Sequence, residues 1–494
     1  MPSTMPVATI TPLQLPQLTQ PNSANQGSGS PEDLFSNPPS YDSATQSPAT
    51  TSLTSPTSPS SSSQDGSVVL SLSHSLMTAV NNKADPDEIH RLMLEVIRLA
   101  KDEKTARRLV DAGVIPHLIT EFKNSSPSEL GIHTIVSALG LLSHDMLSAA
   151  SILRSGTAEH LIEISKGAQT GPARACLAWC LGRMIQSDDI ATRLIEDGLA
   201  DLLISWLTVS DDTDAWRYSA WALGMLARTD TLVDTLVGMG AIPALASHLN
   251  RIVTPPAQPG SEDLGAALFA VARFARTTKL SKALSAAGSV EPMVQTLNQT
   301  IDPKVLNWAA RAIGCHMRPN SSDMAKVLLR AGAAQGLARL PSVIPTDETE
   351  ALGSFAFAIA RFSCAEWSAG TRKALVDAGV VDALLRALRA AAAFPATNPQ
   401  VHAELAFAIS FLGDVGGSSI RKEIQDSGGV DILRELARQE PPDVRKACEI
   451  AITTTTGNVF TRLTASTKAG MTHDWRGGCP DYPIPPPNFD AWVP

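Results

Sequence analysis

The strongest constraint on this chain is a phrase that it repeats. Residues 109–118 read LVDAGVIPHL, and residues 375–384 read LVDAGVVDAL. Weaker copies lie between and after them. Their glycines are Gly113, Gly156, Gly198, Gly240, Gly288, Gly332, Gly379 and Gly429, so successive steps are 43, 42, 42, 48, 44, 47 and 50 residues. A unit of this size cannot bury its apolar face alone, and the stable solution is to stack it on its neighbours. The longer steps coincide with stretches containing proline or glycine at 254–260, 341–350 and 390–399.

Every unit reads alike. The phrase ends a short helix, and its glycine turns the chain sharply. A second helix follows, as at 115–122 and 242–249. After a loop comes a longer helix rich in alanine and aromatic residues, predicted at 173–185, 215–227, 264–276, 304–317, 349–362 and 401–412. Small residues on this third helix let neighbouring units approach closely. Before the first phrase, residues 68–80 suit a short helix. A further helix is predicted from Pro86, with Asp85 as its cap and apolar residues at helical spacing.

Glycine turn, period and alanine-rich third helix together resemble the armadillo family over residues 86–465. The resemblance implies an all-α fold: a right-handed solenoid of about 8–9 three-helix repeats, with the third helices lining a concave groove. In armadillo proteins that hold extended peptides, the third helix carries Trp followed four residues later by Asn. Trp179 and Trp221 stand at the Trp position here, with Phe269, Phe357 and Phe407 in later repeats. The Asn is missing throughout, replaced by Arg183, Met225, Arg273, Arg361 and Phe411. That departure counts against a nuclear-transport peptide receptor.

The replacement has its own chemistry. Arg183, Arg273 and Arg361 are expected on one ladder beside Trp179, Trp221, Phe269 and Phe357. Guanidinium forks bind carboxylates and phosphates and stack on rings. Such a groove suits an acidic or phosphorylated extended segment of a partner. Alternatively, these arginines pair with acids of adjacent helices and only hold the stack. The chain's own acidic N-terminal tail is a further candidate occupant.

That tail, residues 1–66, holds 35 Ser, Thr or Pro and no Lys or Arg. It has too little apolar surface to fold and is expected to be disordered. It carries four Ser-Pro pairs suited to phosphorylation, at Ser30, Ser47, Ser55 and Ser58. It also holds Pro38-Pro39-Ser40-Tyr41. Paired prolines favour a polyproline II helix that docks into aromatic grooves at low entropic cost. The sequence resembles a WW-domain ligand, including those of HECT-type ubiquitin ligases. The array proper is expected over 67–465. Residues 466–494 change character, with prolines and glycines around Trp475, Tyr482, Phe489 and Trp492. They are expected to cap the last repeat or to act as a docking peptide.

Other functions find little support. A net charge of −9 gives no reason to expect nucleic-acid binding. Six cysteines in 494 residues are too few for a disulfide scaffold and suit a reducing compartment. Cys176 and Cys180 share a helix face but have no second metal-ligand pair and read as core thiols. No membrane span, signal peptide, catalytic constellation or phosphate loop is visible, and no cofactor or metal is implied. The expected function is a non-catalytic scaffold or adaptor, cytoplasmic and also nuclear, binding other proteins. A membrane-associated scaffold of the vacuole-anchored armadillo type is the alternative, although Met1-Pro2 offers no acylation site. Oligomeric state is not legible.

Overall fold

The structure, a computed structural model, describes residues 62–124, 129–168, 170–209, 211–255, 259–317, 321–365, 369–439, 441–472 and 479–487. Pro38, Pro39, Tyr41 and the Ser-Pro pairs lie outside the described residues, as do Trp475, Phe489 and Trp492. The described residues form 27 α-helices and no strand. Helices α1 (Ser62–Asn81) and α2 (Pro86–Ala100) precede the first glycine phrase. Eight three-helix repeats follow. Their first helices are α3 (Glu103–Asp111), α6 (Met146–Arg154), α9 (Asp188–Glu196), α12 (Asp230–Gly238), α15 (Thr278–Ala286), α18 (Ser322–Arg330), α21 (Ala369–Asp377) and α24 (Gly417–Asp426). The second helices are α4 (Val114–Asn124), α7 (Thr157–Lys166), α10 (Leu199–Val209), α13 (Ala241–Val253), α16 (Val290–Gln299), α19 (Ala333–Val343), α22 (Val380–Ala393) and α25 (Gly429–Gln439). The third helices are α5 (Glu129–Leu142), α8 (Gly171–Arg183), α11 (Thr213–Leu226), α14 (Ser261–Phe274), α17 (Pro303–His316), α20 (Glu350–Ala365), α23 (Pro399–Val415) and α26 (Pro442–Thr456). Helix α27 (Val459–Thr472) closes the series.

Local chemistry sets these boundaries. Five first helices begin on a side-chain cap: Asp102, Asp145, Ser187, Thr229 and Thr277 each accept a backbone N–H three residues on. Third helices do the same with Thr170, Asp212 and Asp302, which is why they start one or two residues earlier than periodicity alone predicts. Between first and second helices the chain adopts positive φ, from +74° at Gly156 to +98° at Gly198. A side chain there is strained, so glycine recurs. The eighth turn is carried by Gly428, φ +75°, and not by Gly429, which begins α25. A Cβ on Gly429 would meet Leu385 and the backbone of Ile424, so that glycine answers to packing.

Each third helix packs on the next, from α5 through α26. The contact is a ring set into a glycine notch. Cβ atoms added at Gly140, Gly182, Gly224 and Gly314 would stand less than 3.0 Å from the rings of Trp179, Trp221, Phe269 and Phe357 respectively. Second helices are latched as well. Lys123 Nζ, Asn250 Nδ2, Asn298 Nδ2 and an Arg389 Nη donate to backbone carbonyls at the glycine turn of the following repeat. Helices α1 and α2 pack on α4 and α5 as a half-repeat, and α27 packs on α26 and α23. Helix α1 starts before residue 67, and α27 runs past residue 465 to Thr472.

One core polar cluster links repeats differently. His248 of α13 is 1% exposed, and its Nδ1 lies 3.3 Å from Arg251 Nη2. Arg251 also donates to the Leu207 carbonyl and lies over the Trp216 ring, 3.8 Å from its centroid. Burial, with Arg251 adding to it, lowers the His248 pKa to about 3.

Two outcomes follow. Gly182→Ala forces a methyl group into the Trp221 ring and should lower stability by about 1–3 kcal/mol, read as a lower urea midpoint. Because His248 stays neutral in the folded chain, the unfolded chain alone gains a proton as pH falls below about 6.5. This group then removes about 1.4 kcal/mol of stability per pH unit down to about pH 3, a slope that His248→Gln should flatten.

Candidate peptide-binding groove

The third helices α11, α14 and α17 carry the side chains of the candidate site. Two aromatic positions lie outside the Trp register. Tyr218 precedes Trp221 by three residues, and Trp308 precedes Arg311 by three, so each shares a helix face with its partner one turn away. Arg311 occupies in α17 the place that Trp221 and Phe269 hold in α11 and α14, three residues before a small residue. Its guanidinium lies 4.3 Å from the Phe357 centroid, and its Nε donates to Ser354 Oγ at 3.0 Å.

Across these three helices runs the chain's own segment 479–487, without regular secondary structure. Cys479 Sγ is in hydrogen-bonding reach of Cys315 on α17. Asp481 forms an ion pair with Arg273 of α14. Tyr482 is 4% exposed, held between Phe269, stacked at 6.0 Å and 28°, and the edge of Trp308 at 5.3 Å. Its hydroxyl donates to Glu262 Oε2 at 2.5 Å. Gly265 clears the space, because a Cβ there would stand less than 3.0 Å from the tyrosine oxygen. The Tyr482 carbonyl accepts from Trp221 Nε1 at 3.0 Å and from Ile484 N–H at 2.9 Å, closing a tight turn at Pro483. The Pro485 carbonyl accepts from the Tyr218 hydroxyl at 3.0 Å. The segment thus runs from α17 towards α11, opposite to the order of the repeats.

Electrostatics support this seat. Glu262 is shared: Lys304 Nζ lies 3.2 Å from Oε1 while Tyr482 takes Oε2. Burial and the Glu262 carboxylate both push the Tyr482 hydroxyl well above the usual tyrosine range, so it remains a donor. Burial likewise raises the Tyr218 hydroxyl. Asp263 fixes the start of α14, accepting from Gly260 N–H at 2.8 Å and from Arg217 Nε at 2.6 Å. Five of the nine residues in the segment are prolines, at 480, 483, 485, 486 and 487, which carry no N–H to leave unpaired.

The residues read from sequence separate here. Arg273 meets an acid, and that acid is Asp481 of the same chain. Trp221 contributes its indole N–H, and Phe269 contributes one face of the tyrosine cage. Arg361 is a correction: it is fully buried, with Nη1 at 3.4 Å from the Gly314 and Met317 carbonyls at the end of α17. Its guanidinium lies over Phe357, itself fully buried. Both hold the stack and offer nothing to a partner. Trp179, 2% exposed, fills the notch at Gly140. Arg183 is half-buried at the end of α8, and burial lowers its pKa. The expected capping of the last repeat is also corrected for residues 479–487, which lie on α11, α14 and α17. Sequence spacing did not reveal Tyr218, Trp308 or Glu262, nor where the segment around Tyr482 is seated. The −3 spacing of Tyr218 from Trp221 was the available signal.

The proximity of Cys479 and Cys315 supplies a direct check. Mild oxidation of the full-length protein with diamide should produce a disulfide-linked pair of tryptic peptides containing Cys315 and Cys479, detected by mass spectrometry. Tyr482→Ala should lower its yield several-fold; an equal yield would place the segment elsewhere.

No protein-family model matches the chain, and no curated protein matches it. Among solved structures, an engineered protein from the Northeast Structural Genomics Consortium superposes with a TM-score of 0.60 at 21% identity. It covers 84% of this chain and 99% of that one. A designed armadillo repeat protein is similar at 20% identity and a TM-score of 0.42, over 51% of this chain and 98% of that one. Another, solved in complex with the peptide (KR)4, is similar at 19% identity and a TM-score of 0.42, over 54% and 99%. Likeness at these identities is a likeness of fold. With three helices per repeat, glycine turns between the first two and a continuous ladder of third helices, the chain is an armadillo-type α-solenoid.

Proposed function

We propose that this protein is a non-catalytic interaction scaffold that binds extended segments of other proteins along its third helices. One observation carries the reading. Side-chain donors, Trp221 Nε1 and Tyr218 Oη, are satisfied by main-chain carbonyls of a segment without regular secondary structure. Recognition through carbonyls is independent of side-chain identity and suits a surface that reads peptides in extended form. Pockets between these donors then select side chains. Both donors are buried with the segment in place, so an occupant that covers them without offering an acceptor loses about 1–3 kcal/mol per unpaired donor.

The N-terminal tail extends the same role. Pro38-Pro39-Ser40-Tyr41 supports recruitment of a WW-domain protein, a ubiquitin ligase among them, to whatever the groove holds. Composition supports work in the cytoplasm, with the nucleus also open to it. Among the described residues no single helix is long and apolar enough to cross a membrane.

The test uses the full-length chain with Tyr482→Ala, which vacates the groove. Panning a library of random extended peptides against it should enrich binders. Adding Tyr218→Phe, which keeps the ring and deletes one donor, should weaken those binders about fivefold or more. If no peptide is enriched, or if the enriched peptides bind both proteins equally, the scaffold reading fails.

A further inference from the structure

The groove does more than hold a backbone. Its centre is built around one side chain of defined chemistry. Phe269 and Trp308 offer a face and an edge to a ring, themselves 5.3 Å apart and nearly perpendicular at 84°. Gly265 leaves room for a ring oxygen, and Glu262 accepts its proton. Phenylalanine would fill the cage but leave Glu262 Oε2 without its donor. A site built to bond a hydroxyl discriminates strongly against an analogue lacking it. Phosphotyrosine fits still less well: it has no hydroxyl to donate and would set a doubly charged group against the Glu262 carboxylate. One residue earlier, Arg273 selects an acid, and the guanidinium is held in place over the Phe269 ring at 5.5 Å. One residue later, the tight turn is carried by Pro483.

We propose that this groove is a recognition site for an unphosphorylated Asp-Tyr-Pro segment of a partner protein, and that residues 479–487 occupy it in cis until such a segment displaces them. The inference rests on the scaffold reading and names the class of ligand. The chain carries the matching sequence Asp481-Tyr482-Pro483 once, and it is this copy that sits in the groove. A tethered segment reaches an effective concentration on the order of 1 mM, so one of ~10 µM intrinsic affinity weakens any free competitor roughly a hundredfold. Only a partner presenting the same chemistry at high local concentration, or with added contacts along neighbouring third helices, displaces it. Phosphorylation of Tyr482 on an opened chain would hold the groove vacant, because the modified ring is refused on return.

The test measures fluorescence anisotropy of a labelled peptide, Ser-Pro-Asp-Tyr-Pro-Ile-Pro-Pro-Pro, which is residues 479–487 with Cys479→Ser. The proteins are full-length wild type and full-length Tyr482→Ala and Asp481→Ala. Asp481 is largely exposed, so its replacement cannot unfold the array, and circular dichroism verifies both variants. Tyr482→Ala should bind the peptide about tenfold or more tightly than wild type, with Asp481→Ala between them. Adding Arg273→Ala to Tyr482→Ala should weaken that binding several-fold. The phosphotyrosine and phenylalanine versions of the peptide should each bind Tyr482→Ala at least several-fold more weakly. Equal binding to all three proteins, or none to any, overturns the proposal. So does a phosphopeptide that binds as well as the unmodified one. A chain that enriches library peptides but ignores this one would lose this inference and keep the scaffold reading, so the two failures are told apart.

Discussion

The rest of the structure depends on a ring set into a glycine. Trp221 of α11 lies where a Cβ on Gly182 of α8 would collide with it, and the same arrangement joins Gly140 to Trp179, Gly224 to Phe269 and Gly314 to Phe357. Contacts this close fix the distance and register between successive third helices, because protein interiors yield little to overpacking. They also leave each ring an edge. In α11 that edge is the Trp221 N–H, which the stack orients and the groove uses. Packing and recognition therefore share one side chain. A substitution made to test recognition at Trp221 must keep the ring, or it tests the fold instead.

The same economy explains why chemically similar residues have different fates. Arg273, Arg311 and Arg361 all stack on phenylalanine rings. Arg361 turns back to the carbonyls ending α17 and is sealed in. Arg311 reaches sideways to Ser354 of the next third helix. Arg273 keeps a partly open guanidinium and pairs with an acid that arrives from outside its own repeat. The centre of the array is thus where side chains are left over after the stack is satisfied. Tyr218, Glu262 and Trp308 belong to the same surplus, and their hydroxyl, carboxylate and ring meet complementary groups on residues 479–487.

Burial of that segment is economical as well. Its prolines bring no unpaired N–H groups and restrict the chain before it is bound, so ordering it costs less than ordering a flexible peptide. The one large side chain it buries, Tyr482, contributes about 2–3 kcal/mol of apolar burial in addition to its hydrogen bond. Asp481 remains half-exposed, and its pairing with Arg273 serves selectivity more than affinity.

Much of the solenoid was legible in the sequence because its determinants are local. Positive φ at Gly113 or Gly240 demands glycine whatever surrounds it, and Asp85, Asp212 and Asp302 cap helices through residues two or three away. Period, turn and helix type therefore follow from short-range chemistry repeated eight times. The exchange of Gly429 for Gly428 at the last turn shows the limit of that reading, since two adjacent glycines differ only in what packs against them. Of the candidate site, the sequence indicated the aromatic ladder and the cation at Arg273. It could not separate Arg273 from Arg361, because burial depends on neighbours a repeat away. Nor could it join Tyr482 to Glu262, 220 residues distant, or to Trp221, 261 residues distant. Repetition makes the fold a local property of the chain. The occupant of the groove is a long-range property, decided only when the folded array brings Asp481 and Tyr482 back across its middle repeats.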